Sequence, residues 1–579
     1  MQFLSRQLVG ILLGTLLIGV GLAGCSTLTR APAAPAAPAA PPAADQPSPV
    51  VVSTWSADSL YDLLVGEIAG QRAQPDAALA AYLRQARALR DPALAARATR
   101  IAWYVRQPDK IRAAASLWAE LAPEDPEANT NAVLGLIQGG EIEAAAPLLD
   151  RLLSSAGQPV RFNFVVQYAQ ESDPVIRARI GALLANLSVT HPENTRLWFA
   201  RAALADINGD PIGALALAQR ARALDPNHPA TLELEGRLLA ATGASTAARK
   251  LLRNATRKFP RERDLRLAYL RTLLEASRGR DAKRELENML LIWPEDGDLV
   301  MSLALLEWET GHPDSARQRF VALAESGYRE DEAWFYAGRI AVAQQRHGDA
   351  AGYFQNVRGP QFLQAQVQVA YAWQKTGRLA DARALIAALR QQAPESAPQL
   401  YVAESELLWR ADAGAEAFAV IDRALAVNPT DNDLRYARAM TAERLGRIEV
   451  TEADLRTILA VQPNNAMVLN ALGYTLADRT DRTDEARTLI ERALALSPDD
   501  PAIVDSMGWV LFRQGKTAEA IGWLQRALSL VPDAEIAAHL GEALWANGQH
   551  RAARQIWQRA RALDPENNTL RQTIRRLDQ

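Results

Sequence analysis

Fourteen prolines divide this chain at almost equal intervals. They stand at 92, 126, 159, 192, 226, 260, 294, 360, 394, 429, 463, 498, 532 and 565. Successive gaps are 34, 33, 33, 34, 34, 34, 66, 34, 35, 34, 35, 34 and 33, and the 66 is two periods with one proline missing near Gly327. A fixed period of this length marks an array of identical supersecondary units, each too small to bury its own apolar face. Ala and Leu dominate between the prolines, which favours helix.

The unit PAIVDSMGWVLFRQGKTAEAIGWLQRALSLVPDA, 501–534, places Gly508, Gly515, Ala520, Ala527 and Pro532 at offsets 8, 15, 20, 27 and 32. Gly541, Gly548, Ala553, Ala560 and Pro565 repeat the pattern, as do Gly236, Gly243, Ala248, Ala255 and Pro260. A small residue at offset 8 of a first helix meets the small residue at offset 20 of a second. The glycine near offset 15 turns the chain, and the proline closes the second helix because it cannot continue one. These residues resemble the tetratricopeptide repeat (TPR), a 34-residue helix–turn–helix. The resemblance implies an all-α TPR superhelical solenoid of about fifteen helical hairpins, ten or more recognisable as TPRs, running without a linker over 55–579. The match is weakest over 127–192 and irregular over 295–370, where Trp293, Trp308, Trp334, Phe335 and Tyr336 mark a bend, a contact surface or simple drift. DRTDRTD, 478–484, stretches one repeat by a residue, and the polar end RQTIRRLDQ suits a solubilising cap.

The N-terminus is different. Leu8–Ala23 is an apolar run of 16 residues interrupted by four glycines. That is short against the roughly 20 residues of a membrane-spanning helix and suits a signal-peptide core. It ends in Leu22-Ala23-Gly24-Cys25, and Cys25 is the one cysteine of 579 residues. The pattern resembles a bacterial lipobox, implying a signal peptide over 1–24, lipidation of Cys25 and a membrane anchor. Ser26 in place of the Asp that commonly retains such proteins in the inner membrane implies sorting to the outer membrane, facing the periplasm. Residues 25–54 then form the lipidated end and a tether, RAPAAPAAPAAPPAADQPSPV, extended because it is proline-rich.

A single cysteine excludes a disulfide framework and any multi-cysteine metal site. A net charge of −3 gives no argument for nucleic acid. Six lysines against 58 arginines (64 basic residues in all) suit bidentate ion pairs between helices, or reflect codon bias. There is no HExxH, GxSxG or Walker loop, and the six histidines are scattered. His191 and His228 fall in turns as solvated or capping residues, and His539 and His550 are not at ligand spacing on one helix face. The expectation is a binding protein, not an enzyme, with no cofactor and no metal.

In this repeat family the first helices line the groove, with offsets 2, 5, 9, 12 and 13 facing the ligand. Those offsets select Asn470, Tyr474 and Asp478, then Asp505, Trp509, Phe512 and Arg513, then Glu542 and Trp545. Trp509 is either an exposed aromatic beside Arg and Asp, an interface-like composition, or lies flat across the next hairpin. A second candidate is the basic run 249–271, with Arg253, Arg257, Lys258, Arg261 and Arg263; it meets an acidic partner or anionic envelope polymer, or is a solvated face.

The N-terminal pattern and array resemble outer-membrane TPR lipoproteins of Gram-negative bacteria. SLYDLLVGEIAGQRAQPDAALAAYLRQARALRDPALAARATRIAWY, 59–104, is similar to the opening of a subgroup that includes the lipoprotein binding partner of a periplasmic carboxyl-terminal-processing protease. That resemblance implies a non-catalytic adaptor holding the serine protease near substrates such as cell-wall cross-link hydrolases. The alternative is a TPR scaffold for exopolysaccharide secretion or outer-membrane assembly. Self-association through the ends of the array is also open.

Overall fold

The computed structural model describes residues 56–154 and 162–578. Cys25, the tether and Pro159 lie outside them. The described residues form 31 α-helices and two short 3-10 turns, with no strand among them. They divide into two compact units, one ending at Gly311 and the other beginning at His312. The first holds seven helical hairpins and the helix Gly297–Glu309. The second holds the helix Pro313–Glu325, seven hairpins and the final helix Asn568–Leu577.

Two kinds of signal start and stop these helices. First helices are opened by a side chain that accepts from the exposed N–H groups of the first turn: Asp91, Asp125, Asn194, Asp296, Asp431, Asn465, Asp500 and Asp533 all do so. Most ruler prolines stand two residues beyond a second helix. Pro226, Pro260, Pro429, Pro463, Pro498, Pro532 and Pro565 follow helices ending at Leu224, Lys258, Val427, Val461, Leu496, Leu530 and Leu563. Pro92 and Pro126 differ from the expectation. Each is the first residue of a helix, where its missing N–H costs nothing and its φ is already helical. The missing proline near Gly327 is replaced by the turn 326–329, built on positive φ at Gly327 (78°) and Arg329 (45°). The hairpin Glu330–Ala343 with His347–Gln355 follows in phase. In the same stretch Trp334 stacks on Tyr353, Phe335 meets Phe354 edge-on and Tyr336 stacks on Phe320. Phe335 and Tyr336 are buried, so that part of the aromatic run is core.

The structure adds a large side chain to the packing rule. A Cβ at Gly508 would lie 2.6 Å from Leu524, one at Gly236 2.5 Å from Leu252, and one at Gly541 1.9 Å from the Trp557 indole nitrogen. The offset-8 glycine therefore seats the large side chain at offset 24, one turn beyond the small residue at offset 20. Ala248, Ala520 and Ala553 are fully buried beside it. Interiors are close-packed, so a side chain with no room is felt directly. Gly508→Val is expected to lower stability by about 1–3 kcal/mol. Gly522→Ala, on an open helix surface with nothing within 4 Å, is expected to raise it by about 0.4–1 kcal/mol. Urea unfolding of the two variants checks the contrast, and equal midpoints would contradict this packing.

Candidate protein-binding grooves

In the second unit the helices Ala466–Arg479, Pro501–Arg513, Ala534–Ala546 and Asn568–Leu577 pack side by side. They bring most of the sequence-selected residues together, around a histidine the offsets omitted. His539 is buried. Its Nδ1–H donates to Asp505 Oδ2 at 2.9 Å, its ring stacks on Trp509 at 4.3 Å, and the Tyr474 hydroxyl lies 3.5 Å from Nε2. Trp509 Nε1–H donates to Asp478 at 3.1 Å, and Phe512 tilts against the same indole. Asp478 also takes Arg479 at 3.0 Å, and its carbonyl accepts from Arg513 at 2.8 Å. Glu542 pairs with Arg576 at 2.5 Å. Trp545 stacks on Trp557, with the Arg554 guanidinium over its ring.

Trp509 is 6% exposed. The structure thus corrects the exposed-aromatic alternative: the ring lies flat against the next first helix, pinned at its nitrogen. Asp505 and Glu542 are also buried, Asn470, Tyr474, Asp478, Phe512 and Trp545 are half-buried, and Arg513 is exposed. The face is a connected polar network more than a free aromatic platform. Burial works against a charge on His539, but the Asp505 carboxylate and its hydrogen bond, with Glu535 and Asp478, outweigh it and hold the imidazole above its ordinary range. Burial pushes the Tyr474 phenol up, as do Asp478, Glu535 and Asp505. Glu535 keeps solvent-accessible surface, while the protein around its carboxyl displaces water and pushes it upward, opposed by His539 and reinforced by Asp505.

The sequence offsets could have found part of this. Glu535 stands at offset 2, a groove position, and His539 lies one period of 34 residues beyond Asp505. The first unit has its own groove feature, which sequence reasoning missed. An open cavity of about 560 Å³ is lined by Val166, Gln167, Arg196, Phe199, Ala203 and His228 among others. Arg196, Phe199 and Ala203 occupy offsets 2, 5 and 9 of a repeat closed by Pro226.

The basic run divides. Arg253, Arg257, Lys258 and Arg261 are exposed, and Lys258 bonds to Asn227. Arg263 pairs with Asp296 at 2.9 Å, while Arg266 is buried against Glu285 and the Pro260 carbonyl. His228 caps its helix, as the turn position suggested, and His191 bonds to Asp150 at 2.7 Å. No group of three or more His, Cys, Asp or Glu among the described residues could hold a metal ion. None of the described helices is long and apolar enough to cross a membrane.

The family profile described as tetratricopeptide repeat matches residues 301–361 and 436–501, and a second of the same description matches 479–542. The TPR repeat-containing protein PA4667 of Pseudomonas aeruginosa is 39% identical over 532 residues, spanning 92% of this chain and 90% of its own. The chain belongs to the tetratricopeptide-repeat family. Bacteriophage adsorption protein A of Escherichia coli is 32% identical, over 16% of this chain and 9% of its own length. Among solved structures, Naa15/Naa10 bound to HypK-THB is 16% identical with a TM-score of 0.35, over 68% of this chain and 66% of that one. The APC/C hetero-tetramer Cut9–Hcn1 is 14% identical with a TM-score of 0.29, over 84% and 97%. As a TPR protein, the chain is a scaffold for protein–protein interaction.

A buried histidine whose folded pKa is raised stabilises the fold fully below its unfolded pKa of about 6.5 and loses that stabilisation as pH rises through the folded value. The urea midpoint is therefore expected to fall as the pH rises from about 6.5 through the raised value of His539. In His539→Gln that pH-dependent loss should be absent; an identical slope in the variant would assign it to other groups.

Proposed function

We propose that this TPR protein is an outer-membrane lipoprotein adaptor. Cys25 carries the lipid, the tether spaces the array from the membrane, and the groove holds a periplasmic carboxyl-terminal-processing serine protease together with protein substrates such as cell-wall cross-link hydrolases. The observation that carries the reading is the N-terminal sequence: the Leu22-Ala23-Gly24-Cys25 stretch, followed by the opening segment 59–104. The relative of similar length in a Gram-negative bacterium supports it. Tethering raises the effective concentration of protease and substrate without requiring a new contact between them, and the peptide-bond chemistry belongs to the partner.

Affinity capture of the detergent-solubilised protein followed by mass spectrometry is expected to recover a processing protease. Recovery instead of a β-barrel porin with polymer-modifying enzymes would replace the reading with a secretion scaffold. Cys25→Ala is expected to leave the protein unprocessed or release it from membranes. Unchanged fractionation and unchanged acyl labelling would remove the anchor from the proposal.

A further inference from the structure

The outward face of one second helix carries charge that the chain leaves unanswered. Ser245–Lys258 contains five basic residues and no acidic one. Its buried positions are Ala248, Leu252, Ala255 and Thr256. Lys250, Arg253 and Arg257 stand at i, i+3 and i+7 on the opposite, exposed side, and Arg261 in the turn beyond is exposed as well. These four reach no carboxylate among the described residues. Arginines of other second helices do. Arg456 reaches Glu452 at 2.8 Å, Arg487 reaches Glu491 at 2.8 Å and Arg526 reaches Asp499 at 2.9 Å. Like charges three or four residues apart destabilise a helix, so packing gives no reason for this stripe.

Apolar contact is not what the face offers. No large apolar side chain is exposed among the described residues between Ile212 and Leu291. The core of a protein interface is instead depleted in charge and rich in aromatic side chains. The helix keeps its apolar positions inside its own hairpin, so it has nothing to insert. What remains is Coulombic attraction to a surface of many negative charges, and guanidinium groups take phosphate through two parallel N–H bonds. The first helices on either side, Pro229–Ala241 and Arg263–Glu275, pack against each other, and the stripe belongs to the second-helix layer outside them. A row of cations on an outer helix can lie on a flat layer, which a groove cannot.

We infer that Lys250, Arg253, Arg257 and Arg261 dock this part of the first unit on an anionic lipid bilayer, through the phosphates of its headgroups. Charge complementarity gives the sign, and the bilayer is the polyanion to which Cys25 ties the chain. The inference rests on that anchored reading. It adds which face of the unit meets the membrane, and it leaves the first-helix side free for a protein. Basic residues beside an anionic leaflet each add attraction, and salt screens it. The contact is a reversible second signal beside the lipid.

Co-sedimentation with vesicles reads this contact. The full chain carries Cys25→Ala, so that no acyl group contributes. The vesicles are phosphatidylcholine alone, or phosphatidylcholine with about one-third phosphatidylglycerol. Binding to the anionic vesicles is expected to be at least about tenfold tighter than to the neutral ones at about 0.1 M salt, with the preference lost at about 0.5 M. The triple variant Lys250→Gln, Arg253→Gln, Arg257→Gln is expected to lose the preference at low salt while keeping wild-type far-UV dichroism. The triple variant Arg456→Gln, Arg487→Gln, Arg526→Gln removes the same charge from paired positions and is expected to keep it. Equal binding to the two kinds of vesicle would overturn the inference. Equal loss in both triple variants would also overturn it, by assigning the effect to net charge. Stripe-dependent binding of polygalacturonate without a vesicle preference would assign the face to acidic polymer and overturn it too. Acyl labelling of Cys25 in the wild-type chain is a separate readout. A labelled chain without the vesicle preference sinks this inference alone, and a vesicle preference in a chain that takes no label sinks the anchor alone.

Discussion

The close approach of paired helices governs everything else in this chain. Where Gly541 faces Trp557, or Gly508 faces Leu524, the second helix rests a large side chain on bare backbone of the first. Nothing larger than glycine fits there without displacement, so this position sets the hairpin geometry wherever it is glycine, as it is also at Gly236 and Gly473. Once that position is fixed, the remaining apolar residues can only be buried by the adjoining hairpins, and order propagates through nearest neighbours. The cores accordingly form a series of local clusters, such as Leu270 to Leu306 and Ile521 to Leu570, each spanning one or two repeats.

Arginine completes what apolar packing leaves open. Arg438 joins Asp422 and Asp454, and Arg383 with Arg390 closes on the buried Glu404. Each of these pairs links different helices. A lone buried carboxylate such as Glu404 would be costly, and two arginines satisfy its oxygens, Arg383 donating to Oε1 and Arg390 to Oε2. The excess of arginine over lysine thus has a structural use at these positions, whatever the codon bias of the gene.

The fold was legible because its determinants are local and periodic. Prolines, glycines and small residues repeat at fixed offsets, and the missing proline near Gly327 did not shift the phase. What was misread depended on side-chain reach. Offset 20 was assigned from size, and spacing alone did not show that the longer side chain at offset 24 comes nearest to the glycine. Pro92 and Pro126 were indistinguishable from helix-closing prolines by spacing alone. Pro123, three residues before Pro126 and two beyond the helix ending at Leu121, occupies the closing position instead. Trp509 satisfied the offset rule for a groove residue, yet no rule on one repeat can reveal that His539 from the next covers it.

Two histidines, one on a first helix and one capping a first helix, show how neighbours decide a side chain's role where position does not. His539 sits with Asp505, Glu535 and Asp478, and the carboxylates hold its charge inside the fold. Its own interactions are made within the chain, so the ring is pre-organised, although Asn470 Oδ1 on the same face is buried without a hydrogen-bond partner. His228 sits with Arg196 and the hydroxyl of Thr231, is held below its ordinary range by burial, and its Nδ1 accepts from Thr231. Recognition requires groups whose hydrogen bonds improve on binding. By that criterion the surroundings of His228, whose ring nitrogen Nδ1 is used only within its own turn, have more to gain from a ligand than the surroundings of His539, whose ring is already held by Asp505 and Trp509.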